Sequence, residues 1–326
     1  MRTFRHVNAG SLDAVYELLA TYGTRARLNA GGTDLLGSIK DGILAEPPEL
    51  LVNLKTVPGL DTIREDPGGL TIGALTPLAR IAASPPVREM YPLLADAARS
   101  VATPQLRNMG TLGGNLCQEV RCWYFRYPAS VGGALGCLRK GNGPCLALKG
   151  DNRYHALLGG RRCYAVCPSD TAVALAALDG VLRIGRPGGH REVAVKDFYT
   201  PLATVLEPGE VVTEVRVPKP PPGAVQTFTK FAARKALDFA LVSAATMVGT
   251  ADGVCADVRI VLGAVAPGPV RASAAEDGLM GRPMNDVTAA QAAETALAGA
   301  KPLSGNGYKI DIARALVRRC LTGSHE

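Results

Sequence analysis

Large rings are scarce in this chain: six Phe, nine Tyr and one Trp among 326 residues. The core must therefore rest on Ala, Val and Leu. Long apolar runs are also missing. The longest, Phe239 to Gly249, carries Ser243 and Thr246 and falls short of the roughly 18–20 residues that span a bilayer. No apolar stretch follows Met1-Arg2-Thr3-Phe4-Arg5-His6, which argues against a secretory signal. These absences predict a soluble chain made in the cytoplasm, with no membrane span. The net charge is +7, yet no five-residue Lys/Arg block occurs and Arg161-Arg162 is the tightest basic pair. With no aromatic-interleaved RNA motif either, nucleic acid is not an expected partner. No Ser/His/Asp order or paired-carboxylate motif stands out, so hydrolase chemistry has no support.

What is present reads as globular. Hydrophobic residues make up 47% and charged residues 20%, and a chain of this length buries a core without disulfide staples. Length alone suggests two domains. Ser11 caps an expected helix with Leu12, Val15, Leu18 and Leu19 on its apolar face and Gly23 at its end. Strands are expected at 25–29, 50–54, 70–73, 181–184, 211–217, 226–231, 240–249 and 256–265. Helices are expected at 79–83, 93–100 and 169–178. A capping box of Thr288 with Gln291 opens another that Gly299 stops, and 310–321 forms the last. The run Pro218-Lys219-Pro220-Pro221-Pro222-Gly223 marks a linker. It divides the chain at 1–219 and 224–326 in an α+β architecture of two unequal parts.

Three features carry chemistry. Asn29-Ala30-Gly31-Gly32-Thr33-Asp34-Leu35 is a strand feeding paired glycines, which lets backbone N–H groups turn toward one point. Thr33 and Asp34 can then bond a phosphate-linked ribose or cap the next helix. It is not G-x-G-x-x-G, and the lysine of a P-loop is absent. Gly110-Thr111-Leu112-Gly113-Gly114-Asn115, preceded by Arg107-Asn108, is a second such run. Two loops of this kind fit a pyrophosphate gripped from both sides, while each alone reads equally as a tight turn.

The third feature is cysteine. Six of the eight, Cys117, Cys122, Cys137, Cys145, Cys163 and Cys167, fall in one stretch without periodicity. Such an insertion needs something besides an apolar core to order it, and a metal centre would do so. Clustered thiols without a signal peptide point to metal before disulfides. Iron–sulfur, zinc and no metal all stay open, although the paired C-x-x-C knuckles of zinc modules are missing. Spacing does not choose four ligands from six. Trp123 and Tyr124, beside Cys122, either shield a cluster or simply pack. The histidines, His6, His155, His190 and His325, read as solvated or structural.

Ala30-Gly31-Gly32-Thr33-Asp34-Leu35, Thr71-Ile72-Gly73-Ala74-Leu75-Thr76 and Arg107 to Asn115 together resemble the FAD-binding medium subunit of molybdenum hydroxylases, the xanthine dehydrogenase family. Pro168-Ser169-Asp170, Lys230 to Ala240 and Asn306-Gly307-Tyr308-Lys309 continue the match, which covers essentially the whole chain. The resemblance implies a two-part FAD-binding domain followed by a smaller C-terminal α+β domain. It implies that Ala30, Gly31, Gly32, Thr33, Asp34 and Leu35 hold the FAD diphosphate together with Gly110, Thr111, Gly113, Gly114 and Asn115. It places Thr103 along the cofactor, Asp170 at the adenosine ribose and Lys230 near the flavin. It implies partners as well: a small subunit with [2Fe–2S] clusters, a large molybdopterin subunit where substrate is oxidised, and an external electron acceptor.

The cysteine insertion, about 117–167, narrows the resemblance. Cys122-Trp123-Tyr124-Phe125-Arg126 and Asp151-Asn152-Arg153-Tyr154-His155-Ala156 resemble the periplasmic aldehyde oxidoreductase branch. The 4-hydroxybenzoyl-CoA reductase branch carries a similar insertion. Both imply a [4Fe–4S] cluster here, with Cys122, Cys137, Cys145 and Cys163 as ligands and Cys117 and Cys167 as additional thiols. The implied function is an electron-transfer oxidoreductase subunit of a heterotrimer, of the aldehyde dehydrogenase type or else of the 4-hydroxybenzoyl-CoA reductase or xanthine dehydrogenase type. A readings of another class is a stand-alone flavin- or zinc-binding interaction module; a self-sufficient flavin oxidase is a third. A partner with an export signal would make the assembled enzyme periplasmic instead of cytoplasmic.

Overall fold

A computed structural model describes residues 3–44, 46–133, 135–234 and 237–323. Lys235 and Ala236 of the Lys230–Ala240 motif lie outside these, as do Met1, Arg2 and His325.

The chain begins with a three-stranded parallel sheet. β1 (Arg5–Asn8) leads into α1 (Leu12–Tyr22), then β2 (Ala26–Asn29), α2 (Leu35–Lys40) and β3 (Leu50–Asn53), with β3 in the centre. The Ser11 hydroxyl accepts from the Ala14 N–H, and Gly23 ends α1 at φ +53°. Val15, Tyr16 and Leu19 bury its apolar face against β3. The carboxyl ends of parallel strands are where open α/β sheets bind ligands, and the first glycine loop leaves that end of β2.

A second layer is antiparallel. β4 (Ile63–Asp66) and β5 (Gly69–Gly73) are followed by α3 (Leu78–Ala83), α4 (Pro85–Met90), α5 (Pro92–Ser100), α6 (Pro104–Met109) and α7 (Leu112–Leu116). After the cysteine-rich stretch come α8 (Asp170–Ala177), β6 (Val181–Arg186), β7 (Gly189–Ala194) and β8 (Val211–Pro218). The sheet order is β4-β5-β8-β6-β7. All eight residues of α8 are buried, so no hydrophilic face shows in its sequence, Asp-Thr-Ala-Val-Ala-Leu-Ala-Ala.

The C-terminal sheet holds β9 (Val225–Phe231), β10 (Val242–Ala251), β11 (Val254–Gly263) and β12 (Val270–Arg271) in the order β12-β11-β10-β9. α9 (Ser273–Asp277), α10 (Asp286–Ala296) and α11 (Tyr308–Thr322) complete the chain. The core around α5 and α8 also takes in Ala245, Met247 and Val261 of this sheet. Among the described residues no helix is long and apolar enough to cross a membrane.

Most expected elements are present within a residue or two. Four unpredicted strands, β1, β4, β7 and the two-residue β12, are sheet edges with no buried side chain, so they lack the alternation that marks a half-buried strand. The cap of α10 also differs from expectation. Asn285, not Thr288, is the capping residue, and Thr288 closes the box by accepting the Asn285 N–H at 3.0 Å. The helix then ends at Ala296, before Gly299. Between α7 and α8 the only helical structure among the described residues is three short 3₁₀ turns, at 129–131, 138–140 and 146–148.

Candidate functional site

The two glycine loops meet. A side chain at Gly31 would collide with the Met109 carbonyl just before Gly110. Gly32 sits at φ +72°, which L side chains rarely adopt. Between the loops lies a cavity of about 200 Å³ lined by Ala30, Gly31, Gly32, Thr33, Asp34 and Leu35 on one side and Thr111 and Gly114 on the other.

The loops do not contribute equally. Thr103 and Thr111 cap α6 and α7 through their hydroxyls. The N–H groups of Gly110, Leu112, Gly113, Gly114 and Asn115 all donate internally, to Leu106, Thr76, Ala74 and Thr111. Those of Gly31, Gly32, Thr33 and Asp34 donate to none of the described residues. The first loop thus keeps a run of free donors for an anion, and the second supplies a wall. Asn29 Oδ1, buried at the end of β2, has no hydrogen-bond partner among the described residues. Free donors and a cradle that admits no Cβ fit a bound dinucleotide diphosphate.

Asp34 is committed elsewhere. Its carboxylate accepts from Arg121 Nη2 at 2.9 Å, from Arg126 Nη2 at 2.8 Å and from the Glu119 N–H at 3.0 Å. It therefore makes no capping bond to α2. It ties the first loop to the segment that carries Cys122. Burial is the main influence on Arg121 and pulls its guanidinium down to about 10, with Arg126 beside it adding to the effect.

Thr103, Gly110, Gly113, Asn115, Asp170 and Lys230 do not line this cavity. Asn115 Oδ1 accepts from Ser169 and Thr171, both at 2.6 Å, pinning the second loop to the start of α8. Asp170 and Lys230, which the resemblance sends to different parts of the cofactor, form an ion pair at 2.7 Å, and Ser100 donates to the same carboxylate. Burial pushes the Asp170 carboxyl up, against the pull of Lys230.

Past Cys117, Gln118 and Glu119, which it shares with the first, a second cavity of about 220 Å³ opens. Phe125, Arg139, Cys167, Tyr199 and Leu202 are among its walls. Phe125 and Arg139 also border a third and much smaller space of about 20 Å³. Cys122, Cys137, Cys145 and Cys163 all line that space, with apolar walls from Phe125, Leu138, Ala147 and Ala165. Cys117 and Cys167 do not reach it. Among the described residues no three His, Cys, Asp or Glu side chains converge as a site for a single metal ion.

His155, which its sequence context marked as solvated or structural, is 2% exposed, and its Nε2 lies 3.2 Å from Cys122 Sγ. Burial lowers its pKa to about 4. The sequence signs of it were its place inside the cysteine region and in the Asp151–Ala156 motif. The Asn306–Lys309 motif at the start of α11 holds this segment. Asn306 Nδ2 donates to the His155 and Ala156 carbonyls, Lys309 Nζ to the His155 carbonyl at 3.0 Å, and Tyr308 Oη to the Arg153 carbonyl. Trp123 and Tyr124 both donate to the Asp151 carbonyl.

Comparison with known proteins agrees with this geometry. Residues 2–220 match the FAD binding domain in molybdopterin dehydrogenase, and residues 227–323 match the CO dehydrogenase flavoprotein C-terminal domain. The chain is 38% identical over 301 residues to the aldehyde oxidoreductase FAD-binding subunit PaoB of Escherichia coli K12, covering 89% of this chain and 88% of that one. It is 28% identical to the carbon monoxide dehydrogenase medium chain of Hydrogenophaga pseudoflava, covering 96% and 94%. Among solved structures, quinoline 2-oxidoreductase from Pseudomonas putida 86 superposes with a TM-score of 0.77 at 28% identity over 99% of this chain and 96% of that one. On the matched domains, and on loops shaped to hold a diphosphate, this chain belongs to the family of FAD-binding medium subunits of molybdenum hydroxylases.

Proposed function

We infer that this chain is the electron-transferring flavoprotein subunit of a three-subunit aldehyde-oxidising molybdenum hydroxylase. In this reading it receives electrons from the [2Fe–2S] centres of a small subunit and passes them to an external acceptor, while substrate is oxidised on a molybdopterin subunit. The observation that carries it is the cavity between the glycine loops, with four consecutive free N–H groups on one wall. The identity to an aldehyde oxidoreductase FAD-binding subunit supports the substrate class.

Bound FAD supplies the redox chemistry. This chain's residues supply position and polarity. Gly31 to Asp34 offer N–H groups to the diphosphate, and Thr111 and Gly114 close the opposite wall. Tyr199, Leu202 and Phe125 line the adjoining space together with the polar side chains of Gln118, Glu119 and Arg139. Asp170 and Lys230 enter this reading as a unit, since they form a buried ion pair. The division at 1–219 and 224–326 is retained: β8 ends at Pro218 and β9 begins at Val225.

The reading extends to a [4Fe–4S] cluster on Cys122, Cys137, Cys145 and Cys163. An all-thiol donor set, with apolar walls and two arginines beside it, suits iron–sulfur chemistry. A single zinc ion would instead need its ligands drawn tightly together. The assembled enzyme is placed in the cytoplasm, or in the periplasm if a partner's export signal carries it there. Eight free cysteines suit a reducing compartment.

The test is an anaerobic visible spectrum of the purified complex, before and after dithionite, with iron and acid-labile sulfide analysis. The expected result is a bleachable flavin envelope over a broad iron–sulfur shoulder. Partner subunits should co-purify, which separates this reading from a stand-alone module. A colourless protein that fails to take up FAD would sink it. Because the partners' [2Fe–2S] centres add to the same shoulder, iron must also be counted on this subunit alone. Flavin without iron in the separated subunit would keep the flavoprotein and remove the cluster.

A further inference from the structure

Two of the four thiols lining the small cavity are met by side-chain N–H donors. Arg139 Nε lies 3.4 Å from Cys163 Sγ. His155 Nε2 lies 3.2 Å from Cys122 Sγ. Both side chains are held from behind. The Arg139 guanidinium also donates to the Pro201 carbonyl at 3.3 Å and approaches Glu119 at 3.8 Å, and only 7% of its side chain is exposed. The His155 carbonyl is fixed by Asn306 and Lys309, and its ring packs against Tyr124 with centroids 5.9 Å apart.

The surroundings carry the same sign. Lys140 follows Arg139 on the turn between Cys137 and Cys145. Its ammonium is buried without a hydrogen-bond partner among the described residues and sits 5.8 Å from the Phe125 ring, a wall of the cavity. No carboxylate lines the space. Glu119, the acid nearest to Arg139, lies on the far side of that guanidinium and is 41% exposed.

An iron–sulfur cluster on four thiolates is anionic, and one-electron reduction adds a further negative charge. N–H donors to the ligand sulfurs and nearby cations stabilise the more negative state, which raises the reduction potential. A metal-bound thiolate carries no proton. The nitrogen 3.2 Å from Cys122 Sγ must therefore be the protonated one if that contact is to attract.

We propose that Arg139 and His155 are positioning residues that raise the reduction potential of a [4Fe–4S] cluster by donating to the sulfurs of Cys163 and Cys122. This rests on the cluster reading given above. The step affected is a one-electron reduction of the cluster by the flavin or by the partner's [2Fe–2S] centres, and no bond in this chain is made or broken. Arg139 has a second placement that matters. It also walls the adjoining cavity, so its guanidinium stands between that space and the thiols.

The test is an EPR-monitored redox titration of the assembled complex, with iron and sulfide counted on the separated subunit. Arg139→Met and His155→Phe remove the donors; Arg139→Lys and His155→Gln keep an N–H. Each donor-less variant should cut the reduced-to-oxidised ratio of the cluster at fixed potential by about tenfold, equivalent to about 59 mV for a one-electron couple. The conservative variants should recover part of the shift, and the flavin midpoint should not move. The two donors serve different thiols, so either position suffices if a variant at the other fails to fold. An unchanged midpoint with a full complement of iron and sulfide overturns the proposal and leaves the cluster in place. Cluster loss in the donor-less variants, with the conservative ones at the wild-type midpoint, would make both residues structural only. A wild-type subunit without iron and sulfide overturns the cluster reading and this inference with it.

Discussion

The cavity between the glycine loops and the cavity lined by four thiols are built in opposite ways. The first is made of backbone, at the end of a β-strand and the starts of short helices. The second is made of side chains on a stretch whose described residues hold only three 3₁₀ turns and two isolated bridges, Arg121 to Val166 and Cys137 to Asn142. A backbone site is fixed by where side chains are missing. A side-chain site is fixed by what its loops are fastened to, here Asp34 at one end and Asn306 to Lys309 at the other. The two sites should therefore fail separately, and for different substitutions.

Cys137→Ser tests that separation most severely. It should empty the thiol site, seen as loss of iron and sulfide from the subunit, while flavin absorbance stays. Simultaneous loss of flavin would show that the two cavities stand or fall together. If turnover also falls with the fold intact, the thiol site relays electrons; unchanged turnover would make it a brace.

Asp34→Asn attacks the tie between the sites. It removes the charge that Arg121 and Arg126 share, at a cost of about 1.5–3 kcal/mol, to be read from denaturant midpoints. Both cofactor sites should loosen, a result that neither Cys137→Ser nor Gly31→Ala should give.

Gly31→Ala acts on the backbone site alone. Forcing a methyl against the Met109 carbonyl costs about 1–3 kcal/mol, so FAD affinity should fall by about 10- to 100-fold. Iron content should be unaffected. A normal flavin affinity would mean that the loops need not touch.

The smallest effect belongs to the clasp. Burial holds Lys309 at about 7, whereas an unfolded lysine stays protonated to about 10.4. Between these values the unfolded chain binds more protons, so this group's contribution to stability rises with pH. The slope is at most about 1.4 kcal/mol per pH unit. Lys309→Met should lose that rise, measured as the difference in unfolding midpoints between pH 7 and pH 8 for the two proteins.

The backbone site was the more legible of the two in the sequence. Gly31, Gly32 and Gly110 to Asn115 announce it, because glycine is used where a Cβ cannot fit. Its uneven donor supply was not legible, because Leu112 and Gly113 spend their N–H groups on Thr76 and Ala74, far back in the chain. The four thiols could be named as a set only through the family resemblance. The tie made by the Asp34 carboxylate was not legible, since nothing local shows that its partners lie 87 and 92 positions away. His155 was passed over for the same reason: its neighbour Cys122 is distant in sequence. α1 and the C-terminal strands were readable because cap and periodicity are local properties. The edge strands β1, β4 and β7 were not, because their exposed side chains leave no pattern.

The clasp from Asn306, Tyr308 and Lys309 also sets a timetable. Ribosomes add roughly 5–20 residues per second, so these residues emerge on the order of ten seconds after Cys163. Until then the segment bearing His155 is held by its earlier contacts, from Trp123 and Tyr124 to the Asp151 carbonyl and from the Leu157 N–H to the Val265 carbonyl. The insertion is therefore fastened on that side only after the C-terminal sheet has been made.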